Sequence, residues 1–245
     1  MKVILCLTLG LVLLSGGAWL WRTKMNSSRQ RTSADTQRAK YERIVRDYHR
    51  EEIERAKELG RKEVILPPGI DLPTAEQSLE ELLRDNGLLR VRVIDKETTV
   101  SEPYADILTW YKVEIVETLH EQRKVSDEAP PFELPSRLLP SVPSESLLVV
   151  NGGEITVDGV TVVSEVSTES VIYFPKEEYL IVAYLDYGGK LIRPVSGRAS
   201  VFHIINKRLK SAQKERRLVR EIEERYGGDL DLLRSDVRLR QRREK

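Results

Sequence analysis

Apolar residues in this chain follow three different periods, and each period marks a different kind of segment. From Val3 to Leu14 (VILCLTLGLVLL) they form an apolar run interrupted only by Thr8 and Gly10, and Trp19-Leu20-Trp21 prolongs the run after Ser15-Gly16-Gly17-Ala18. Asn26–Thr36 is polar and Ser-rich and reads as a flexible spacer. Tyr41, Ile44, Val45, Tyr48, Ile53, Ala56 and Leu59 then recur at mostly helical spacing, so residues 37–60 are expected to form an amphipathic helix with a solvated charged face and a stop at Gly60. A Pro-rich connection (LPPGIDLP, 66–73) leads to a short helix with Leu79, Leu82 and Leu83, with Thr74 and Gln77 at capping-box spacing before it and Gly87 after it.

From Leu88 the period becomes two. Val91 and Val93 alternate with Arg90 and Arg92 in a first strand, and Trp110–Leu119 (WYKVEIVETL) alternates in a second, with Val113 and Ile115 on one face. Residues 120–145 hold five of the eleven prolines (130, 131, 135, 140 and 143) and read as a long loop. Two β-branched runs, Glu154–Val157 and Val160–Val163, flank Asp158-Gly159, a strong hairpin signal. Further strands are expected at Tyr179–Tyr184, at Lys190–Pro194 after the Gly188-Gly189 turn, and at Ser200–Ile205. Gly152-Gly153 lacks the spacing of a phosphate loop and opens onto a strand rather than a helix, so it reads as a bend or bulge entering the hairpin.

Helical spacing returns over residues 206–226, where Leu218, Val219, Ile222 and Tyr226 share a stripe. After Gly227-Gly228, Asp229 begins a second segment with Leu230, Leu233 and Val237. The pattern predicts a mainly β, α+β chain, in which a β-domain over 74–205 lies between a spacer and helix at 26–73 and a basic helical arm at 206–245.

Charge adds what the pattern leaves open. The formal net charge is +1, with 40% hydrophobic and 32% charged residues, yet the basic residues crowd the two flanks. Lys2, the apolar run and the small residues at 15–18 form an export signal that could be cut after Ala18; read through Trp21, the same run is a bilayer-length anchor, so residues 1–25 are either signal peptide or anchor. Arg22, Lys24, Arg29, Arg31, Arg38 and Lys40 beyond the run would hold the body in the cytoplasm by the positive-inside rule, against the export reading. Cys6, the single cysteine, lies inside the run, so the body has neither disulfide nor cysteine metal site.

The order of a helix with Leu79, Leu82 and Leu83, then "ILTWYKVEIVETL", then "VVNGGEITVDGVTVV", then "FPKEEYLIVAYLDYGGKLIRPVSG" resembles a group of uncharacterised bacterial secreted or envelope β-domain proteins. In that group a T-x-Y-x-V-x-V strand, a GG hairpin and a G-E-x-Y-L-L-F-L strand recur in this order. The resemblance covers about residues 75–205 and rests on short patterns, with Pro175-Lys176 where the group has a glycine and with extra flanking helices. It implies an exported, small OB-like antiparallel β-barrel flanked by N- and C-terminal helices. It carries no activity.

Candidate chemistry is sparse. None of His49, His120 and His203 lies in an H-x-x-x-H or H-E-x-x-H frame, and His203 reads as a packed or rim residue on a strand. Ser211 and Lys214 match S-x-x-K without K-T-G or S-D-N, in a stretch read as charge-rich helix. Adjacent Glu177 and Glu178 at a strand start point to opposite faces and cannot share a proton. No catalytic, cofactor or metal residue is assigned. The candidate contact residues are Arg238, Arg240, Arg242, Arg243 and Lys245, which suit anionic lipid or another acidic partner surface. Two readings stand: an exported, periplasmic or envelope, non-catalytic binding or assembly module with a membrane or envelope-protein partner, and a cytosol-facing, membrane-tethered OB-like protein that binds nucleic acid. The second lacks interleaved aromatics.

Overall fold

The computed structural model describes residues 35–67, 76–102, 104–125, 127, 134–165, 171–195 and 197–244. The apolar run at 3–21, the spacer to residue 34, Thr74 and Lys245 lie outside the described residues. Within them the chain is α+β, with two sheets and five α-helices.

Helix α1 (35–48) and α2 (Arg50–Glu58) divide at His49, and the chain turns at Gly60. A short strand, β1 (Glu63–Leu66), follows, then α3 (Leu79–Leu83). The capping box of α3 is formed by Ser78 and Glu81, one turn later than the expected Thr74 and Gln77: the Ser78 hydroxyl accepts from the Glu81 N–H at 3.2 Å, and the Ser78 N–H donates to Glu81 Oε2 at 2.7 Å.

Strands β2 (Gly87–Ser101) and β3 (Asp106–His120) are much longer than the alternation at 90–93 and 110–119 predicted. β4 (Glu145–Asn151) is a strand where the loop and the approach to the glycine pair were expected. β5 (Gly153–Val157) and β6 (Val160–Ser164) form the predicted hairpin. β7 (Glu178–Asp186), β8 (Leu191–Pro194) and β9 (Val201–Ile205) match the later strand readings. The expected helix at 206–226 is shorter. Asn206 and Lys207 turn the chain into β10 (Arg208–Lys210), and α4 spans only Arg217–Tyr226, so Ser211 and Lys214 sit in the approach to it rather than in a helix. α5 (Leu230–Glu244) follows, its first turn capped by Asp229, whose Oδ1 accepts from the N–H groups of Asp231 and Leu232 at 2.9 and 3.1 Å.

The larger sheet runs β10-β9-β7-β2-β3-β4-β8, and β7 also pairs with β8, so five strands, β2, β3, β4, β8 and β7, form a closed ring of pairings. All contacts in that ring are antiparallel except β4 with β8, which is parallel. Its inner side is filled by Leu89, Val91, Val93, Tyr111, Val113, Leu148, Val150, Tyr173, Tyr179, Ile181 and Ile192. The alternate residues point outward into two other clusters. Leu88, Leu180, Val182 and Phe202 meet α3, α4 and α5, whereas Trp110, Leu147 and Leu191 lie beneath Leu138 of a short 3-10 turn, Ser136–Leu138.

Beyond Val93, β2 leaves β7 and continues with β3 alone. Against this projecting end packs the second sheet, order β1-β6-β5, together with α1 and α2; Val45, Ile53 and Ala56 meet Val100, Ile107, Val157 and Val162. The glycine pair makes the transfer between sheets. A Cβ on Gly153, at φ +144°, would stand 2.6 Å from Thr109 Oγ1, and that hydroxyl donates to the Gly152 carbonyl at 2.7 Å. The chain bends there.

The β5–β6 turn has Asp158 at φ +50° and Gly159 at φ +82°, and Arg46 of α1 donates to both Asp158 carboxylate oxygens at 2.7 and 2.9 Å. Gly159→Val places a β-branched residue at positive φ with no neighbour to clash, so the cost is one of backbone strain. It should lower stability by about 1–3 kcal/mol, read as an earlier urea midpoint at unchanged slope. On the outer side of the ring, Lys112 and Glu145 pair at 2.8 Å, and the Lys112 hydrogen bond, aided by the Ser141 N–H, holds the Glu145 carboxyl down at about 2. A depressed carboxylate stabilises the fold above its ordinary 4.5 and loses that contribution as the pH falls toward about 2. The stability gap between the natural chain and Lys112→Met should therefore narrow across that interval in chemical denaturation.

Candidate functional site

The outward residues of β2 and β7 that α3 and α4 leave uncovered are charged, because a strand with one face in an apolar core must place polar side chains on the other. They floor a groove of about 780 Å³ between the ring, the β9–β10 turn and the start of α5, lined by Arg90, Lys176, Glu177, Glu178, His203, Lys207, Asp231 and Arg234 among others. Apart from Lys176, its charged side chains pair with one another or with neighbours. Glu178 Oε2 accepts from Arg90 Nη2 at 2.5 Å and Oε1 from Arg92 Nη2 at 2.6 Å. Burial works against the Glu178 carboxylate, but the two arginines outweigh it and hold the group below the usual carboxylate range.

The fixing point of α5 is Glu117. Its Oε2 accepts from Arg234 at 2.9 Å and its Oε1 from Arg238 at 3.0 Å, with Arg90 at 3.9 Å on the strand side. Arg234 also holds Asp231, which Lys207 meets at 2.8 Å. Charges from β2, β3, the β9–β10 turn and α5 thus form one network at the edge of the groove.

His203 lies on the rim, as read from the sequence. Its Nε2 is 2.7 Å from Glu177 Oε2, and its ring stacks on Tyr179 at 4.9 Å and 19°. Tyr179 accepts from the Phe174 N–H at 3.0 Å and donates to Glu177 at 3.3 Å, and burial is the main cause that raises its hydroxyl to about 12. Tyr173 packs edge-on between Tyr179 and Tyr111 at 4.9 and 5.2 Å, continuing the contacts into the ring. Glu177 faces His203 and Glu178 faces Arg90, so the adjacent carboxylates act separately. A histidine oriented by a carboxylate can move a proton, but no serine, threonine or cysteine is among the described lining residues. Among the described residues no group of three or more His, Asp or Glu is placed to hold a metal ion.

The sequence-derived contact residues divide into two sets. Arg238 is tied to Glu117, and Arg240 to Asp236 at 3.0 Å and Glu80 at 3.8 Å. Arg242 and Arg243 are exposed and make no ion pair with a described residue, while Lys245 lies outside the described residues. Arg90, Glu117, Glu178 and Arg234 were not singled out as site residues. Only the outward parity of Arg90 and Arg92 hinted at such a face, since Glu117 and Arg234 are 117 positions apart.

A second covered surface lies on the far side of the ring. Leu138 and Leu134 press on Trp110, Leu147 and Leu191, and Arg137 clamps the strap by donating to Asp95 at 2.7 Å, Glu97 at 3.1 Å and the Lys96 carbonyl at 2.6 Å. The Trp110 indole N–H donates to Thr99 Oγ1 at 2.9 Å.

No known protein family matches the chain, and no curated protein sequence matches it at a significant level.

Replacing Glu117 with Gln keeps its shape while removing the charge shared by three arginines. α5 should then lose about 1–3 kcal/mol of anchoring, seen as faster amide hydrogen exchange over Leu230–Arg243 with unchanged protection in β2, β3 and β7. Equal exchange in α5 of both proteins would show that the apolar contacts of Leu230, Leu233 and Val237 hold it unaided.

Proposed function

We propose that this chain is a non-catalytic binding or assembly module of the cell envelope: an exported OB-like β-barrel with helical arms, held at the membrane by residues 3–21 where these are not removed. The ring order β2-β3-β4-β8-β7, with its one parallel contact between the third and fifth strands in sequence, supports an OB-like reading. The observation that carries the non-catalytic reading is the mutual pairing of the groove's charges. Arg90 and Glu178 pair within the ring, Asp231 and Arg234 pair within α5, Arg234 joins the two through Glu117, and the ring is filled by side chains. The exterior of the arms is the surface left for a partner.

The nucleic-acid reading is less well supported. An OB barrel binds oligonucleotides on its second and third strands and adjoining loops, with aromatic side chains for stacking and cations for phosphate. Here the outward face of β3 and β4 is covered by the strap, Trp110 is fully buried beneath it, and Lys112 is neutralised by Glu145.

Topology and binding are tested together. Alkaline phosphatase fused after Lys245 should be active, a fluorescent protein that matures only in the cytosol should stay dark at the same position, and labelled single-stranded DNA should show no anisotropy change with the purified chain at low salt. A dark phosphatase fusion together with salt-sensitive DNA binding would replace this reading by the second one.

A further inference from the structure

We infer that the outward face of α5 is a docking surface for an anionic lipid bilayer, with Leu232 and Leu239 entering the headgroup layer and Arg242 and Arg243 meeting lipid phosphates. This rests on the reading of the chain as an envelope module whose residues 3–21 stay in the bilayer. The buried side of α5 is Leu230, Leu233 and Val237. At 100° per residue the opposite stripe is Leu232, Ser235, Leu239 and Arg242, with Arg243 beside it. Leu232 is 58% and Leu239 53% exposed, seven positions apart on a helix whose core-facing leucine and valine positions are otherwise filled.

The surroundings of that stripe select the partner. The helix Leu230–Glu244 contains five arginines and three acids, Asp231, Asp236 and Glu244, with the arginines concentrated toward its C-terminal end. Arg234, Arg238 and Arg240 are engaged with the chain's own carboxylates, and Arg242 and Arg243 project free of ion pairs with described residues. An exposed leucine bordered by arginines without ion pairs to described residues, as Leu239 is by Arg242 and Arg243, is what an interfacial amphipathic helix presents to anionic headgroups, with Leu232 extending the apolar stripe beside Ser235 and Asp236. Reach permits it as well. Lys40 of α1 pairs with Glu102 at the tip of the β2–β3 hairpin, whereas Arg234 and Arg238 hold Glu117 near the opposite end of β3. That long axis measures about 45 Å at strand rise. The thirteen residues 22–34 between the apolar run and α1 span up to about 45 Å. The spacer is therefore long enough for the long axis to lie along the membrane with α5 against it.

The test uses the full chain with Cys6→Ser and a single new cysteine, Leu239→Cys or, separately, Leu232→Cys. It carries an environment-sensitive fluorophore and is reconstituted into phosphatidylcholine vesicles or phosphatidylglycerol-rich vesicles. The expected result is a blue-shifted emission only in the phosphatidylglycerol-rich vesicles, lost at high salt and lost when Arg242→Glu and Arg243→Glu are added. Emission from water in both lipids overturns the inference. So does a blue shift indifferent to lipid charge or already present in detergent, which would mean that protein, from a second copy or from another part of this chain, covers the stripe. The reporter fusions above read the compartment independently, so an active phosphatase with the label in water rejects the lipid contact alone.

Discussion

Strand β2 carries two pairings at once, and the rest of the fold depends on that. Along Gly87–Arg92 it bonds to β7 on one edge while Leu88–Val93 bonds to β3 on the other, and beyond Val93 only the second partnership continues. Register shifts against β3 at Leu88/Leu89, Arg90/Val91 and Val93/Asp95 bend it. A straight strand fifteen residues long would keep both partners in one open sheet. The bent one lets β7 return to β8 and close the ring, and sends its own second half out as a projecting hairpin.

Two consequences follow from the closure. A ring filled by Tyr111, Tyr173, Tyr179 and aliphatic residues leaves little space between its strands among the described residues. Its outside is largely covered. α3, α4 and α5 lie over Leu88, Leu180 and Phe202, and the Arg137-clamped strap lies over Trp110. Between these coverings, Arg90, Arg92, Glu114, Glu117 and Glu178 satisfy one another, and Arg234 and Arg238 of α5 join them. Surface ion pairs are individually weak, but a partly buried network that shares Glu117 fixes direction, which apolar packing alone does not. Basic residues that looked available in the sequence are thereby divided into those that orient α5 and those left outward.

Legibility in the sequence followed the physics of each element. The Asp158-Gly159 turn and the helical spacing at 37–60 were readable because local backbone and one-sided burial determine them. β4 was not. In ESLLVVN, Leu147 is buried outward under the strap and Leu148 inward in the ring, so burial on both faces erases the period of two. β1 has four residues and pairs in parallel with β6, nearly a hundred positions away, so nothing local announces it. The helix expected from residue 206 begins at 217 because Asn206 and Lys207, both at positive φ, turn β9 back into β10. The charged groove was least visible, since its partners come from β2, β3, β7 and α5 and only tertiary structure assembles them.

The same topology separates the two helical arms in space, which charge counting could not show. α1 and α2 pack on the second sheet and the projecting hairpin end, and α4 and α5 pack on the ring at the other end of the same two strands. β2 and β3, paired from Leu88 and His120 to Ser101 and Asp106, act as a common spine between them. Each arm buries its own apolar stripe against a different part of that spine, so isolated helices that would be marginal in water are ordered by tertiary contact. Packing leaves Leu232 and Leu239 exposed on the second arm, as it leaves Tyr48 and Leu59 on the first. The distance between the arms follows from the length of the two strands.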